Sequence, residues 1–82
     1  MEKITREHLI FLQHELEQTL IIRTEFRRGQ AFFNLLHFYE PDIADEIRGT
    51  KLDPFYDDSR LEKLYNYITE EDKLEEEPEF IL

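Results

Sequence analysis

The chain has 82 residues, of which 40% are hydrophobic and 37% charged, and its formal net charge is −10 at pH 7. A chain of this length buries only roughly 60% of its extended-chain surface, so it supports one core and excludes a multidomain protein, while seven Phe and four Tyr exclude a wholly disordered one. The absence of cysteine excludes disulfide frameworks, thiolate zinc sites and cysteine nucleophiles.

The negative charge is concentrated in the second half of the chain. Residues 1–39 contain five acids and five bases, whereas residues 40–82 contain fifteen acids and five bases. Such acidity disfavours direct binding to nucleic acid or membrane, both of which attract Lys and Arg, and favours basic protein partners or solubility. No apolar run approaches 18 residues and no secretion signal is visible, so we expect a cytoplasmic protein.

The first predicted element is a helix that begins after Thr5. Thr5 is an N-cap residue type, and Ile4 and Leu9 hold the positions of a hydrophobic staple around it. One helical face then carries Leu9, Leu12, Leu16 and Leu20. Because the period is lost afterwards, we expect the helix to end between residues 19 and 24. The alternative is a continuous helix whose apolar face rotates to Ile22, Phe26, Gly29 and Phe33.

A second apolar stripe predicts a second helix, which ends before Pro41. The stripe consists of Phe32, Leu35, Leu36 and Tyr39. Gly29, near the start of this helix, either admits another helix closely or marks the break between the two helices.

Pro41 suits the first turn of a short third helix, because its missing N–H needs no partner there. The predicted inner face of this helix is Ile43, Ala44 and Ile47, and Arg48-Gly49 is its predicted stop.

The stretch IRGTKLDPFYDDSR, residues 47–60, connects the third and fourth helices. We expect Phe55 and Tyr56 to anchor this connection on the core. Ser59 and Glu62 have the spacing of a capping box, with Asp57 or Asp58 as alternative caps. The fourth helix is then predicted by the stripe Leu61, Leu64, Tyr65 and Ile68.

Together these elements predict an all-α fold, a single helical domain of three to four helices over residues 1–70 with a flexible acidic tail over residues 71–82. The tail ends in Phe80, Ile81 and Leu82, which are candidate partner-binding residues. Their position after an acidic run loosely resembles the tips by which bacterial single-strand-binding proteins recruit partners. The alternative is that they fold back on the domain or dock on a second subunit.

No residue pattern supports catalysis, a metal or a cofactor. His8 and His14 lie six residues apart and would point to different faces of a helix, and Ser59, the one serine, is explained by capping. The acids of residues 53–62 lack the spacing of an EF-hand, and helix capping explains most of them. We therefore expect a protein that is not an enzyme and uses neither metal nor cofactor.

Arg23, Arg27 and Arg28 form the only basic cluster in the sequence and are candidate partner-binding residues. Arg23 and Arg27 would share a helical face, and a patch of arginines suits phosphate or an acidic partner. The alternative is that they pair with the chain's own acids. A further alternative is that the acidic half of the chain mimics DNA. Such mimicry requires carboxylates that are held in fixed positions.

Two patterns resemble small uncharacterised proteins of tailed bacteriophages: R-x-G-Q-A-F-F-N-x-L over residues 27–36, and P-x-x-A-x-x-I-R-G-T-x-x-D-P-F-Y-D-D over residues 41–58. The resemblance covers residues 26–68 and implies a phage protein acting in the cytoplasm of a bacterial host, with no activity attached. We interpret the roles of the residues that match this pattern as structural. These residues are Gly29, Gln30, Asn34, Asp53, Pro54, Phe55 and Tyr56.

These features favour an accessory protein that binds and modulates or inhibits a host protein, such as a defence, transcription or nucleic-acid-processing factor. The alternative is a phage structural, assembly or scaffold component. Apolar residues on more than one face of residues 9–39 also indicate a homodimer.

Overall fold

The computed structural model of the chain describes residues 2–70. In chain order they form four helices, which are α1 (Arg6–Ile22), α2 (Arg28–Tyr39), α3 (Pro41–Ile47) and α4 (Leu61–Ile68), with a 3₁₀ turn over Asp58–Arg60 just before α4. The predicted all-α fold of three to four helices is confirmed. The predicted acidic tail, residues 71–82, lies outside the described residues.

The start and end of α1 follow the sequence signals. The Thr5 hydroxyl accepts a hydrogen bond from the backbone N–H of His8 at 3.1 Å, so Thr5 is the N-cap as predicted. The helix ends at Ile22, and a turn over residues 23–27 leads into α2. The break between the first two helices is therefore confirmed, and the continuous helix is wrong. Phe26 within the turn is half-buried and packs against the core.

One hydrophobic core lies between the four helices. Each predicted apolar stripe supplies part of it, and α2 buries a wider face than predicted because Ala31 and Phe33 are also buried. The ring of Tyr65 lies edge-on to Phe32, with 5.0 Å between ring centroids. Burial of this side chain raises the pKa of the Tyr65 phenol. The least exposed helical core residues are Leu12, Leu16, Ala31, Phe32, Leu36, Ile43, Ala44, Ile47, Leu64 and Ile68.

The segment before α1 pairs with the end of α4. The backbone N–H of Ile4 donates to the carbonyl of Ile68 at 2.8 Å, and the N–H of Glu70 donates to the carbonyl of Ile4 at 2.8 Å. The Ile4 side chain is buried in the core. This isolated parallel bridge holds the two ends of the described chain side by side. A single residue pair leaves no periodic pattern, so the sequence did not predict it.

The connection between α3 and α4 is held by one carboxylate and one guanidinium. Gly49 adopts φ = 77°, a conformation that favours glycine, and ends α3 as predicted. The Asp53 carboxylate accepts from the N–H of Gly49 at 2.7 Å and from the N–H of Phe55 at 2.9 Å. The Arg60 guanidinium donates to the carbonyls of Thr50 and Asp53 at 3.1 and 3.2 Å.

The predicted capping box of Ser59 and Glu62 is wrong. The Asp57 carboxylate accepts from both the N–H and the hydroxyl of Ser59, at 3.0 and 2.6 Å, so Asp57 caps the 3₁₀ turn that precedes α4. No side chain caps α4 itself, which begins after Arg60. Because the Ser59 hydroxyl donates to Asp57 and Ser59 itself lies within the 3₁₀ turn, it does not cap α4. These hydrogen bonds from Ser59 lower the pKa of Asp57.

Candidate protein-binding surface

The N-terminal end of α2 packs directly against the connection between α3 and α4. The N–H of Gly29 donates to the Asp58 carboxylate at 2.9 Å. A Cβ atom at position 29 would lie 2.2 Å from the carbonyl oxygen of Pro54 and 2.8 Å from that carboxylate. Gly29 therefore admits this loop rather than another helix, and it lies inside α2 rather than at the break.

Arg27 holds the same loop from the residue before α2. Its guanidinium donates to the carbonyl of Phe55 at 2.6 Å and lies 3.3 Å from the Asp58 carboxylate. Asp58 thus joins the backbone of Gly29 to the side chain of Arg27. The loop from Pro54 to Asp58 is consequently fixed at both ends by groups of α2 and its N-cap.

The other two candidate arginines also have acidic neighbours within the chain. Arg23 forms an ion pair with Glu25 at 2.9 Å, and Arg28 pairs with Glu17, which raises the pKa of Arg28. The interpretation that the arginines pair with the chain's own acids is therefore confirmed. All three side chains still expose about half of their surface, and their part in partner binding stays a prediction.

Tyr56 does not anchor the loop on the core. Its side chain is 85% exposed, the largest exposure among the large hydrophobic residues of the described chain. Pro54 is fully buried, and the half-buried ring of Phe55 packs edge-on against Phe33, with 5.8 Å between centroids. Tyr56 faces solvent, and the centroid of its ring lies 4.9 Å from that of Phe55. The predicted anchoring is confirmed for Phe55 and wrong for Tyr56.

An open groove of about 430 Å³ lies beside Tyr56. It is lined by Gly49, Thr50, Asp53, Tyr56, Asp57 and Arg60. We call Tyr56 together with Asp53, Asp57 and Arg60 the Tyr56 surface. It combines an exposed phenol ring with charged groups whose positions are set by hydrogen bonds within the chain.

Most carboxylates of residues 40–70 already have partners within the chain. Six of the nine acids in this range take part in a hydrogen bond or ion pair: Glu40, Asp45, Glu46, Asp53, Asp57 and Asp58. Three of them, Asp45, Asp57 and Asp58, also form ion pairs with arginines of the chain, which offsets part of the negative charge that a DNA mimic would need. Within residues 2–70, no group of three or more acidic or histidine side chains is arranged to hold a metal ion.

No protein-family model matches the chain, and no curated protein or solved structure matches it. The resemblance to bacteriophage proteins therefore stays a prediction. No helix in residues 2–70 has the length and apolar composition needed to cross a membrane. The candidate residues Phe80, Ile81 and Leu82 lie outside the part of the chain that the structure describes.

The sequence prediction that Tyr56 lies on the core is wrong because Pro54 to Asp57 form a turn. The N–H of Asp57 donates to the carbonyl of Pro54 at 3.1 Å and closes this turn. Apolar residue type alone does not say which side chains of a turn face the core. The residue that anchors the loop beside Phe55 is Pro54, which sequence reasoning used only as a helix breaker.

Proposed function

We propose that the chain is an accessory protein of a tailed bacteriophage that binds a protein of the bacterial host in its cytoplasm and modulates or inhibits it. Binding takes place at the Tyr56 surface. The observation that carries this proposal is the 85% exposure of Tyr56 on a loop that Arg27, Asp58 and Arg60 hold in place.

A fixed, exposed aromatic residue is well suited to binding protein. Association costs free energy when flexible side chains and loops become ordered, roughly 0.5–1.5 kcal/mol for each immobilised side chain. The loop around Tyr56 is already ordered by its hydrogen bonds. Tyr is also enriched among the residues that contribute most to interfaces, because its ring buries a large area and its hydroxyl keeps a polar contact.

The charge around Tyr56 indicates the chemistry of the partner. Residues 40–70 contain nine acids and four bases, and the Tyr56 ring lies beside Asp57 in the chain. The matching site is an apolar pocket for the phenol ring, with Lys or Arg at its rim. Host proteins that bind nucleic acid carry such basic surfaces, and complementary charge accelerates association with them.

The experiment is affinity purification of the full chain from host cells, with Tyr56→Ala as the test variant and Tyr56→Phe as the matched control. Because Tyr56 is exposed, both variants should unfold at the temperature of the wild type. We expect the wild type and Tyr56→Phe to recover the same host protein and Tyr56→Ala to lose it. Undiminished recovery with Tyr56→Ala would remove the Tyr56 surface from the proposal. Enrichment of phage structural components alone would favour the assembly or scaffold alternative.

The dependence of binding on salt tests how much of the affinity comes from the acidic half. A DNA mimic loses affinity steeply as ionic strength rises and competes with DNA for the partner. We expect an aromatic anchor to leave most of the affinity intact at high salt. Steep loss together with competition by DNA would contradict the Tyr56 proposal and support mimicry.

A further inference from the structure

The outward side of α1 carries four large apolar side chains that the fold leaves exposed. Their exposed fractions are 55% for Ile10, 41% for Phe11, 71% for Ile21 and 76% for Ile22. The side chains between the two pairs on this side of the helix include His14 and Gln18, both exposed. We call these six residues the α1 outer face. It contains neither an acid nor a Lys or Arg.

The α1 outer face has a symmetric order along the helix. Ile10 and Ile22 lie six residues on either side of position 16, Phe11 and Ile21 lie five residues away, and His14 and Gln18 lie two residues away. Eleven residues make about three full turns, so the apolar pairs at the two ends share one side of α1, roughly 16 Å apart.

We propose that the α1 outer face binds the same face of a second copy of this chain, with the two α1 helices antiparallel. A two-fold axis level with position 16 then places the pair Ile10 and Phe11 opposite the pair Ile21 and Ile22 of the second copy. His14 meets Gln18 of the second copy between them. Self-complementarity of this kind is what a two-fold interface requires, and it is the reason to choose a second copy as the occupant.

The charge distribution permits two copies of the chain to approach each other along α1. Residues 1–39 carry five acids and five bases, and the net charge of −10 arises in residues 40–82. Glu17, near the edge of the face, is paired with Arg28. α1 itself contains three acids and one base. Two copies that meet along α1 therefore bring together much less negative charge than two acidic halves would.

An aromatic cluster extends the apolar surface at the Phe11 end. The ring of Phe11 packs edge-on against Tyr39 at 5.3 Å, and Phe38, which is 75% exposed, packs edge-on against Tyr39 at 4.9 Å. In the antiparallel arrangement, Ile21 and Ile22 of the second copy reach the edge of this cluster. A standard specific interface involves roughly 20–30 residues on each side, so a contact of this smaller size should dissociate in the micromolar range.

The test is sedimentation velocity over a concentration series, with charges placed at the pair predicted to meet. Ile10→Lys and Ile22→Glu change exposed positions, so each monomer should keep its helical content and melting temperature. We expect each single variant to weaken self-association by about tenfold or more, because each places an unpaired charge in an apolar contact. The double variant should recover much of it, because the introduced ammonium group of one copy then faces the introduced carboxylate of the other. These two positions lie too far apart within one chain to pair with each other.

The outcomes separate this interface from the Tyr56 surface. Tyr56→Ala should self-associate like the wild type, so loss of host-protein binding in that variant leaves the dimer intact. A wild type that stays monomeric up to millimolar concentration overturns the dimer. So does a double variant that associates more weakly than either single variant, because the antiparallel register is then wrong. If the wild type is monomeric and Ile22→Glu abolishes binding of another protein, the α1 outer face belongs to that partner.

Discussion

Substitution of Gly29 by Ala should destabilise the protein, although the same change in a typical helix stabilises it. Gly in the interior of a helix costs about 1 kcal/mol relative to Ala. At position 29, however, the added Cβ would lie 2.2 Å from the carbonyl oxygen of Pro54, closer than real Cβ atoms approach such an atom. The atom that it meets belongs to the backbone, so relief requires movement of the loop that contains it.

The expected loss in the free energy of unfolding follows from displacement of the loop that contains Pro54. Overpacking of this kind costs about 1–3 kcal/mol. Displacement of the loop also weakens the hydrogen bond from the Gly29 N–H to the Asp58 carboxylate, which contributes about 1 kcal/mol at a half-exposed site. After subtraction of the gain in helix propensity, we expect a net loss of about 2 kcal/mol in the free energy of unfolding.

Urea denaturation followed by far-UV circular dichroism measures this loss. For a small domain, the free energy of unfolding falls by about 1 kcal/mol for each molar of urea, so the midpoint of Gly29→Ala should fall by about 2 M. Asn34→Ala, at an exposed position of the same helix, is the matched control and should stabilise slightly. If Gly29→Ala were as stable as the wild type or more stable, the close contact between α2 and the loop would not be a constraint on the fold.

Three further predictions concern Arg27, Asp57 and the end of the chain. Arg27→Ala should lower the free energy of unfolding by about 1 kcal/mol through loss of its hydrogen bond to the Phe55 carbonyl, whereas Arg23→Ala should change it by less than about 0.5 kcal/mol; equal effects would contradict this assignment. Because the pKa of Asp57 is lowered in the folded state, its charge stabilises the fold above the unfolded pKa of about 3.9 and ceases to do so as the pH falls through the folded pKa. The difference in melting temperature between the wild type and Asp57→Asn should therefore shrink from about pH 7 to about pH 2, and a constant difference would exclude the charge as its cause. Deletion of residues 78–82 should abolish partner binding at unchanged melting temperature if they recruit the partner, and should lower the melting temperature if they dock on the domain.

The helices could be predicted from the sequence because the apolar residues of each stripe recur with the period of an α-helix. Thr5 and Pro41 marked helix starts for reasons confined to one turn, namely a free N–H to cap and a missing N–H that needs no partner. The same local reasoning selected Ser59 as a cap and was wrong there. Asp57, two residues earlier, accepts the hydrogen bonds of both the N–H and the hydroxyl of Ser59, and sequence spacing alone does not rank two such competitors.

The parts that could not be predicted depend on contacts between distant residues. The bridge between Ile4 and Thr69 joins the two ends of the described chain. The contact of Gly29 with Pro54 depends on how α2 lies against a loop 25 residues later. For Arg27 the sequence left open whether its partner is another protein or an acid of the same chain, because Phe55 and Asp58 are equally remote in the sequence. In each case the sequence shows a residue able to make a contact, and the fold decides which contact it makes.

Five of the seven residues on which the predicted bacteriophage resemblance rests lie at one joint of the fold, and their contacts divide them into two groups. Gly29, Asp53, Pro54 and Phe55 are explained by packing and hydrogen bonds at the joint between α2 and the loop. Tyr56 is different, because the joint supports it while its ring remains in solvent. A fixed joint beneath an exposed ring is the arrangement that the proposed binding role of Tyr56 requires.

Self-association through the α1 outer face would raise the affinity of the Tyr56 surface for a dimeric or densely immobilised partner. A two-fold dimer carries two Tyr56 surfaces, so a dimeric or densely immobilised partner can be bound at two points, and the second contact forms at the high effective concentration set by the first. Ile22→Glu, which leaves Tyr56 untouched, should then retain the affinity of a single site for a monomeric partner. It should lose the additional affinity for a dimeric partner. Equal affinity of the wild type for monomeric and dimeric partners would mean that the two Tyr56 surfaces do not act together, whatever the strength of each one.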